Sequence, residues 1–194
     1  LLKTDGEIIH EVTPHIGYLH RCAEKIGENL SPPQWIPYTD RMDYLAGMNM
    51  NLGWAMTVEK LMGYRVPERG RHLRVLIAEL NRIASHLVAM GAYGLDLGTF
   101  SPFLYAFRER EKIIDLFEAI SGARMMCNFM RFGGCRCDAP PGWLEQAKKV
   151  VDDFPAFLDE FETLLNENEI LMGRTQGVGI MPRDLAIDAG ITGP

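Results

Sequence analysis

Acid, base and phenol crowd one short stretch of this chain. In PYTDRMDYLAG, Asp40, Arg41, Asp43 and Tyr44 fall within five residues, just ahead of an apolar helical run. Charges so dense beside a segment built for burial require either partners or a chemical task. A phenol at a pocket mouth can donate a hydrogen bond or a proton to a carbonyl substrate. Pattern alone gives Tyr44 the plainer role of a core residue whose hydroxyl is tied to a carbonyl. Asp96 is the second candidate. It lies in GAYGLDLGTFSPF, between two long helical stretches, where Thr99 or Ser101 would cap the next helix better than it could. Asp96 is thereby left without a structural duty.

The remaining reactive residues point to plainer roles. FREREK, at 107–112, is a charge run inside a helical pattern and reads first as intrahelical and interhelical ion pairs, second as a buried polar relay. Arg69 and Arg71, near a helix start, read as solvated. The four cysteines include one close pair, Cys135 and Cys137, and C-x-C without two further ligands at matching spacing is a weak metal signal. The histidines His10, His15 and His20 recur every five residues, which fits neither a helix face nor one side of a strand. The expectation is that the chain holds no metal of its own. GVGIMPRD carries only a G-x-G with no βαβ context, so a soluble nicotinamide or ATP enzyme is not supported.

The elements that must position these residues are mainly helical. Apolar residues step at three and four over 45–62 (Leu45, Met48, Leu52, Ala55, Met56, with Glu59 on the same stripe). A cleaner stripe covers 68–90, from Leu73 to Val88. Pro102 opens a third helix, and the fourth spans about 144–165 with Pro155 as a kink point. Prolines 32, 33 and 37 should break LSPPQWIPYTD, and short helical turns are expected around 182–189. LLKTDGEIIHEV reads as a β-hairpin turning at Asp5-Gly6. The expected fold class is a mainly α helical bundle with a small N-terminal β-hairpin, as one domain with the β element at 1–13 and the bundle over 14–194.

With 194 residues, 47% of them hydrophobic and 24% charged, the chain can bury one core. A net charge of -6 argues against a nucleic-acid partner. No apolar run is expected to reach the length of a membrane span. Leu1 is not an initiator methionine, and the hairpin sequence starts abruptly, so a piece of a longer protein is expected.

The motifs PHIGYLHR, DRMDYL, RVLIAELNRIASHL, LDLGTFSPFLYAFREREKIIDLFEAISGAR and RFGG occur in this order. Together they resemble the D, or 49-kDa, subunit family of the proton-pumping NADH:quinone oxidoreductase, respiratory complex I. That family shares its fold with the large subunit of nickel–iron hydrogenases. The resemblance implies quinone as substrate, with Tyr44 matching a tyrosine that hydrogen-bonds the quinone head group. Asp96 matches an aspartate that pairs with a quinone-ligating histidine, which would lie upstream of Leu1. Arg21 and Arg41 match arginines near the terminal iron–sulfur cluster, which the neighbouring B subunit holds. Positive charge there would raise the cluster's potential. The implied partners are the B and C subunits and the membrane subunits. The implied location is the peripheral arm, on the cytoplasmic face of a bacterial plasma membrane.

Two departures qualify the resemblance. Hydrogenases carry R-x-C-G-x-C where this chain has Arg41-Met42-Asp43-Tyr44-Leu45-Ala46, so Asp43 and Ala46 replace the nickel-binding cysteines. After SGAR, many family members carry a histidine thought to titrate with the cluster, and here Met126 stands in its place. A cluster potential nearly independent of pH follows, and a lower potential would suit menaquinone. The competing reading is a coupling scaffold in a hydrogenase-like or ferredoxin-fed membrane complex that does not use NADH.

Overall fold

Four long helices arise where the 3.6-residue periodicity is sustained, and shorter pieces fill the joints. The computed structural model describes residues 1–192. Its order is β1 (Leu2–Asp5), β2 (Ile8–Val12), α1 (Ala23–Gly27), α2 (Pro32–Thr39), α3 (Gly47–Met62), α4 (Glu68–Asp96), α5 (Ser101–Ser121), β3 (Met130–Arg131), β4 (Gly134–Cys135), α6 (Trp143–Asn166), α7 (Glu169–Thr175) and α8 (Arg183–Asp188). The fold is mainly α, with two small antiparallel sheets, β1-β2 and β3-β4.

The core is the seam where α5 packs between α4 and α6. Gly91 of α4 meets Ala106 and Phe103 of α5, and a side-chain Cβ at Gly91 would come within 3.2 Å of each. Glycine there costs α4 some helix propensity but lets the two backbones approach. On the other side, Trp143 is fully buried and its Nε1–H donates to Leu116 O at 2.8 Å. Arg108 of α5 reaches Glu160 of α6 at 2.7 Å. Burying side chains the size of Trp143, Phe117, Phe129 and Ile77 contributes about 1.5–3 kcal/mol each.

Several expectations need correction. The proline-rich stretch forms the helix α2, because Pro32 and Pro33 occupy its first positions, where no N–H is needed. A capping box of Ser31 and Gln34 starts the helix, so Pro37 costs it only one internal hydrogen bond. The hairpin turns at Gly6-Glu7 rather than Asp5-Gly6, since Asp5 pairs with Ile8. Helix α5 is capped by Phe100 without a side-chain hydrogen bond, and Ser101 is already helical. Helix α4 is long and apolar enough to cross a membrane, contrary to the sequence expectation, because beyond Arg74 only Glu79 and Arg82 charge its central part. Its stripe from Leu73 to Leu87 is nevertheless buried in the core against neighbouring helices.

Candidate functional site

Tyr44 sits on the seven-residue connection 40–46 between α2 and α3, and local chemistry fixes that connection tightly. Asp43 Oδ1 accepts the Leu45 N–H at 3.2 Å, which closes an Asx turn just before Tyr44's neighbour enters the core. Arg41 Nη1 donates to Pro37 O at 2.7 Å. From α4, Asn81 clamps the far end: its Oδ1 accepts the Met48 N–H at 3.0 Å and its Nδ2 donates to Leu45 O at 3.1 Å. Asn81 is buried, so this bridge replaces lost solvent for two backbone groups that no helix could satisfy.

Tyr44 is 56% exposed and is not core. The buried stripe begins two residues later, at Ala46 and Gly47, and the turn leaves the phenol outside it. It stands at the edge of a narrow cleft with only about 20 Å³ of room inside it, little more than one water needs. The opposite walls are Asn81 of α4, Arg110 and Phe117 of α5, and Met126 and Cys127 of the segment that follows α5.

The charge run on α5 resolves into the ion pairs expected, with one exception. Glu109 is buried and accepts from Arg108 at 2.9 Å and Lys112 at 2.6 Å. Arg124 gathers Glu111, Asp115 and Glu118. Arg69, expected to be solvated alone, pairs with Asp138 at 2.7 Å on the surface. Arg110 is the exception. It is 7% exposed, its Nε is buried without a hydrogen-bond partner, and its guanidinium lies 5.5 Å from the Phe107 ring centre. Burial lowers its pKa. A guanidinium in the wall and a phenol at the rim are both hydrogen-bond donors, and each can bond a polar acceptor brought to the mouth of this cleft.

Asp40 is the C-cap of α2, opens this connection and is fully buried. Burial pushes its carboxyl up to about 6, against the opposing pull of the Asn128 N–H, the nearby Arg41 and Arg131 charges and the Asn51 side chain. The thiols of Cys127 and Cys135 are also pushed up by burial and stay protonated. Cys127 Sγ donates to Ala123 O at 3.2 Å and Cys137 Sγ to Ile120 O at 3.0 Å.

Asp96 is the last residue of α4 and is exposed, at a helix end where the dipole disfavours an anion. From Asn81 to Asp96 is fifteen positions of one helix, roughly 22 Å along the axis. The structure therefore places Asp96 and Tyr44 at different levels of α4. Arg21 lies in the exposed irregular segment before α1, and Arg41 is exposed beside Tyr44.

Residues 96–194 match the family model described as respiratory-chain NADH dehydrogenase, 49 Kd subunit. That span is half the chain and includes the cleft's α5 wall and the Met126 segment. The chain belongs to the 49-kDa subunit family. Curated relatives, each named as the D subunit of NADH-quinone oxidoreductase, extend the similarity along its whole length. The protein of Chlorobium luteolum is 51% identical over 192 residues, 99% of this chain and 49% of its own. That of Geotalea uraniireducens is 52% identical over 194 residues, 100% of this chain and 50% of its own. That of Geobacter sulfurreducens is 49% identical over 194 residues, with the same shares. This 49-kDa family chain thus spans about half the length of the curated relatives it matches.

Sequence reasoning did not single out Asn81 or the pair of Glu59 and Arg74, and it named Asp40 and Arg110 only within their charge clusters, with no role of their own. Glu59 carried a usable signal, since an acid on an otherwise apolar stripe must meet a cation in the core. Asn81 and Arg110 carried none beyond their helical phase.

Proposed function

We propose that this chain forms one wall of the quinone-reduction site of an NADH:quinone oxidoreductase. We further assign it the face that meets the terminal iron–sulfur cluster of the neighbouring B subunit. The observation that carries the reading is the exposed Tyr44 phenol on a cleft whose far wall holds the unpaired Arg110. The name the relatives share, with its NADH-quinone oxidoreductase activity, supports it.

In this reading the partner's cluster supplies the electrons. Tyr44 donates its hydroxyl hydrogen bond to one head-group oxygen and thereby orients the ring. Negative charge developing on the ring during reduction is stabilised by Arg110, whose cost of burial is already met by the fold. Asp96 takes the role the family resemblance implies, orienting a histidine that bonds the second oxygen, and protonation there biases the conformation that drives pumping. Arg21 and Arg41 keep positive charge toward the cluster and favour its reduced form. The chain works in the peripheral arm with the B and C subunits and the membrane subunits, at the cytoplasmic face of a bacterial membrane. Menaquinone is the quinone favoured by Met126.

The reading is tested by irradiating the assembled complex with a photoreactive quinone analogue and mapping the label. Labelling within 40–48 or 110–127, suppressed by excess quinone, is expected. Competed labelling confined to other parts of the complex would overturn it.

A further inference from the structure

Arg110 is a cation for which the described chain holds no anion. It is only 7% exposed and makes no hydrogen bond or ion pair among the described residues. Its Nε is shut off altogether, and its two Nη groups keep some access. The acids of its own helix are all committed elsewhere. Glu109 pairs with Arg108 and Lys112, while Glu111, Asp115 and Glu118 gather on Arg124. Among the described residues no carboxylate lines the cleft that Arg110 helps to wall, but a second guanidinium, that of Arg124, does. A guanidinium carries five N–H donors, has no acceptor and stays charged in a protein. Burying one unpaired is costly, so this cleft favours a ligand that brings negative charge.

The room and the walls select the kind of anion. About 20 Å³ admits one atom and leaves no space for phosphate or sulfate. A carboxylate could insert only one oxygen and would forgo the two-point fork that makes its pairing with arginine strong. The remaining walls include Met48, Ile114, Phe117 and Met126. Such walls strip water from an entering ion and return only polarisable sulfur and carbon, which suits a weakly hydrated anion of one atom. At the rim, the Tyr44 hydroxyl is a further donor.

We propose that the Arg110 cleft is a halide site, taking chloride or bromide on the guanidinium, and that the halide competes there with the quinone oxygen. The competition rests on the quinone reading, whereas the site itself does not. A halide on Arg110 cancels the charge that would otherwise stabilise the ring during reduction. With room for one atom, the ion has to leave before a head-group oxygen can enter.

The test uses the assembled complex with the full-length subunit, wild type and Arg110→Met. Methionine keeps the buried stem and removes a charge that nothing in the chain answers, so the variant should assemble. Wild-type crystals soaked in bromide should show an anomalous-scattering peak beside Arg110 that is missing from Arg110→Met. Bromide in place of fluoride, at equal ionic strength to hold screening constant, should lower kcat/KM for quinone about tenfold, the loss of one charge-assisted hydrogen bond. Artificial-acceptor reduction should not respond, and neither should the residual quinone reduction of Arg110→Met. A wild-type crystal with no peak there, or with a protein carboxylate seated on Arg110, overturns the site. Failure of Arg110→Met to assemble overturns it too, because the guanidinium would then have a partner within the complex. A clear peak with quinone reduction indifferent to bromide overturns the competition and leaves the halide site standing.

Discussion

Replacing Arg74 by methionine should cost more stability than any surface change in this chain. Arg74 and Glu59 form a bidentate pair with Nη1 and Nη2 at 2.9 and 2.5 Å from the carboxylate, and their side chains are only 5% and 8% exposed. Arg74 also donates to Gly134 O at 2.9 Å and Arg131 O at 2.6 Å, and Glu59 Oε1 accepts the Gly133 N–H at 2.8 Å. The pair thus ties α3 and α4 to the β3-β4 turn. Met keeps the buried stem and removes the charge, stranding Glu59, and breaking such a pair costs about 3–5 kcal/mol. The double variant Glu59→Leu with Arg74→Met removes both charges. Three backbone groups then lose a partner, at about 1 kcal/mol each, while burial of two apolar side chains offsets most of that. Urea unfolding of the full-length subunit should therefore place Arg74→Met about 4 kcal/mol below wild type and the double variant within about 2 kcal/mol. A double variant less stable than Arg74→Met, or a loss below about 1 kcal/mol for Arg74→Met, would refute the reasoning.

The same pair sets an acid limit. Burial alone would raise the Glu59 pKa, but the Arg74 hydrogen bonds and the Gly133 N–H outweigh it and hold the carboxyl below its ordinary value of 4.5. A group with a depressed folded pKa adds stability that is present above its unfolded value and is lost as pH falls through the folded one. The gap between wild type and Glu59→Gln should thus be full at neutral pH and close as the pH drops below 4.5. Gly47→Ala sets overpacking against Asp40, costing about 1–3 kcal/mol, against a gain in helix propensity of about 1 kcal/mol, for a net loss of about 1 kcal/mol in urea unfolding. A more stable Gly47→Ala would show that α2 and α3 are not in tight register. In the assembled complex, the terminal cluster's potential should change little with pH, and Met126→His should give a slope approaching about 59 mV per pH unit over part of the range. A wild-type slope already that steep would dismiss the role given to Met126.

The sequence was legible where one face of a helix decides everything. Helices α3 to α6 appeared in the periodicity, with ends within two residues except that α4 runs six residues past the expected 90, because their stripes are buried and their opposite faces are charged. Prolines misled at α2, since proline breaks a helix interior but suits its first turn. Tyr44 was misplaced as core because helical phase says nothing about a residue in a connection, where an Asx turn at Asp43 decides the direction of the side chain. Asp96 was expected in a loop, and the last turn of α4 extends through it without any capping signal. The roles of Tyr44 and Asp96 came from family resemblance. The clamp at Asn81, the unpaired Arg110 and the burial of Asp40 depend on long-range contacts that no local pattern encodes.

The most direct test of the central claim is quinone reduction by the assembled complex carrying Tyr44→Phe, measured beside artificial-acceptor reduction by the same preparation. Phenylalanine keeps the ring and removes only the hydroxyl, and Tyr44 is too exposed for that loss to weaken the core. The account predicts a fall in quinone reduction of at least tenfold, equivalent to about 1.4 kcal/mol of lost transition-state stabilisation, with artificial-acceptor reduction intact. Full quinone reduction by Tyr44→Phe would contradict it.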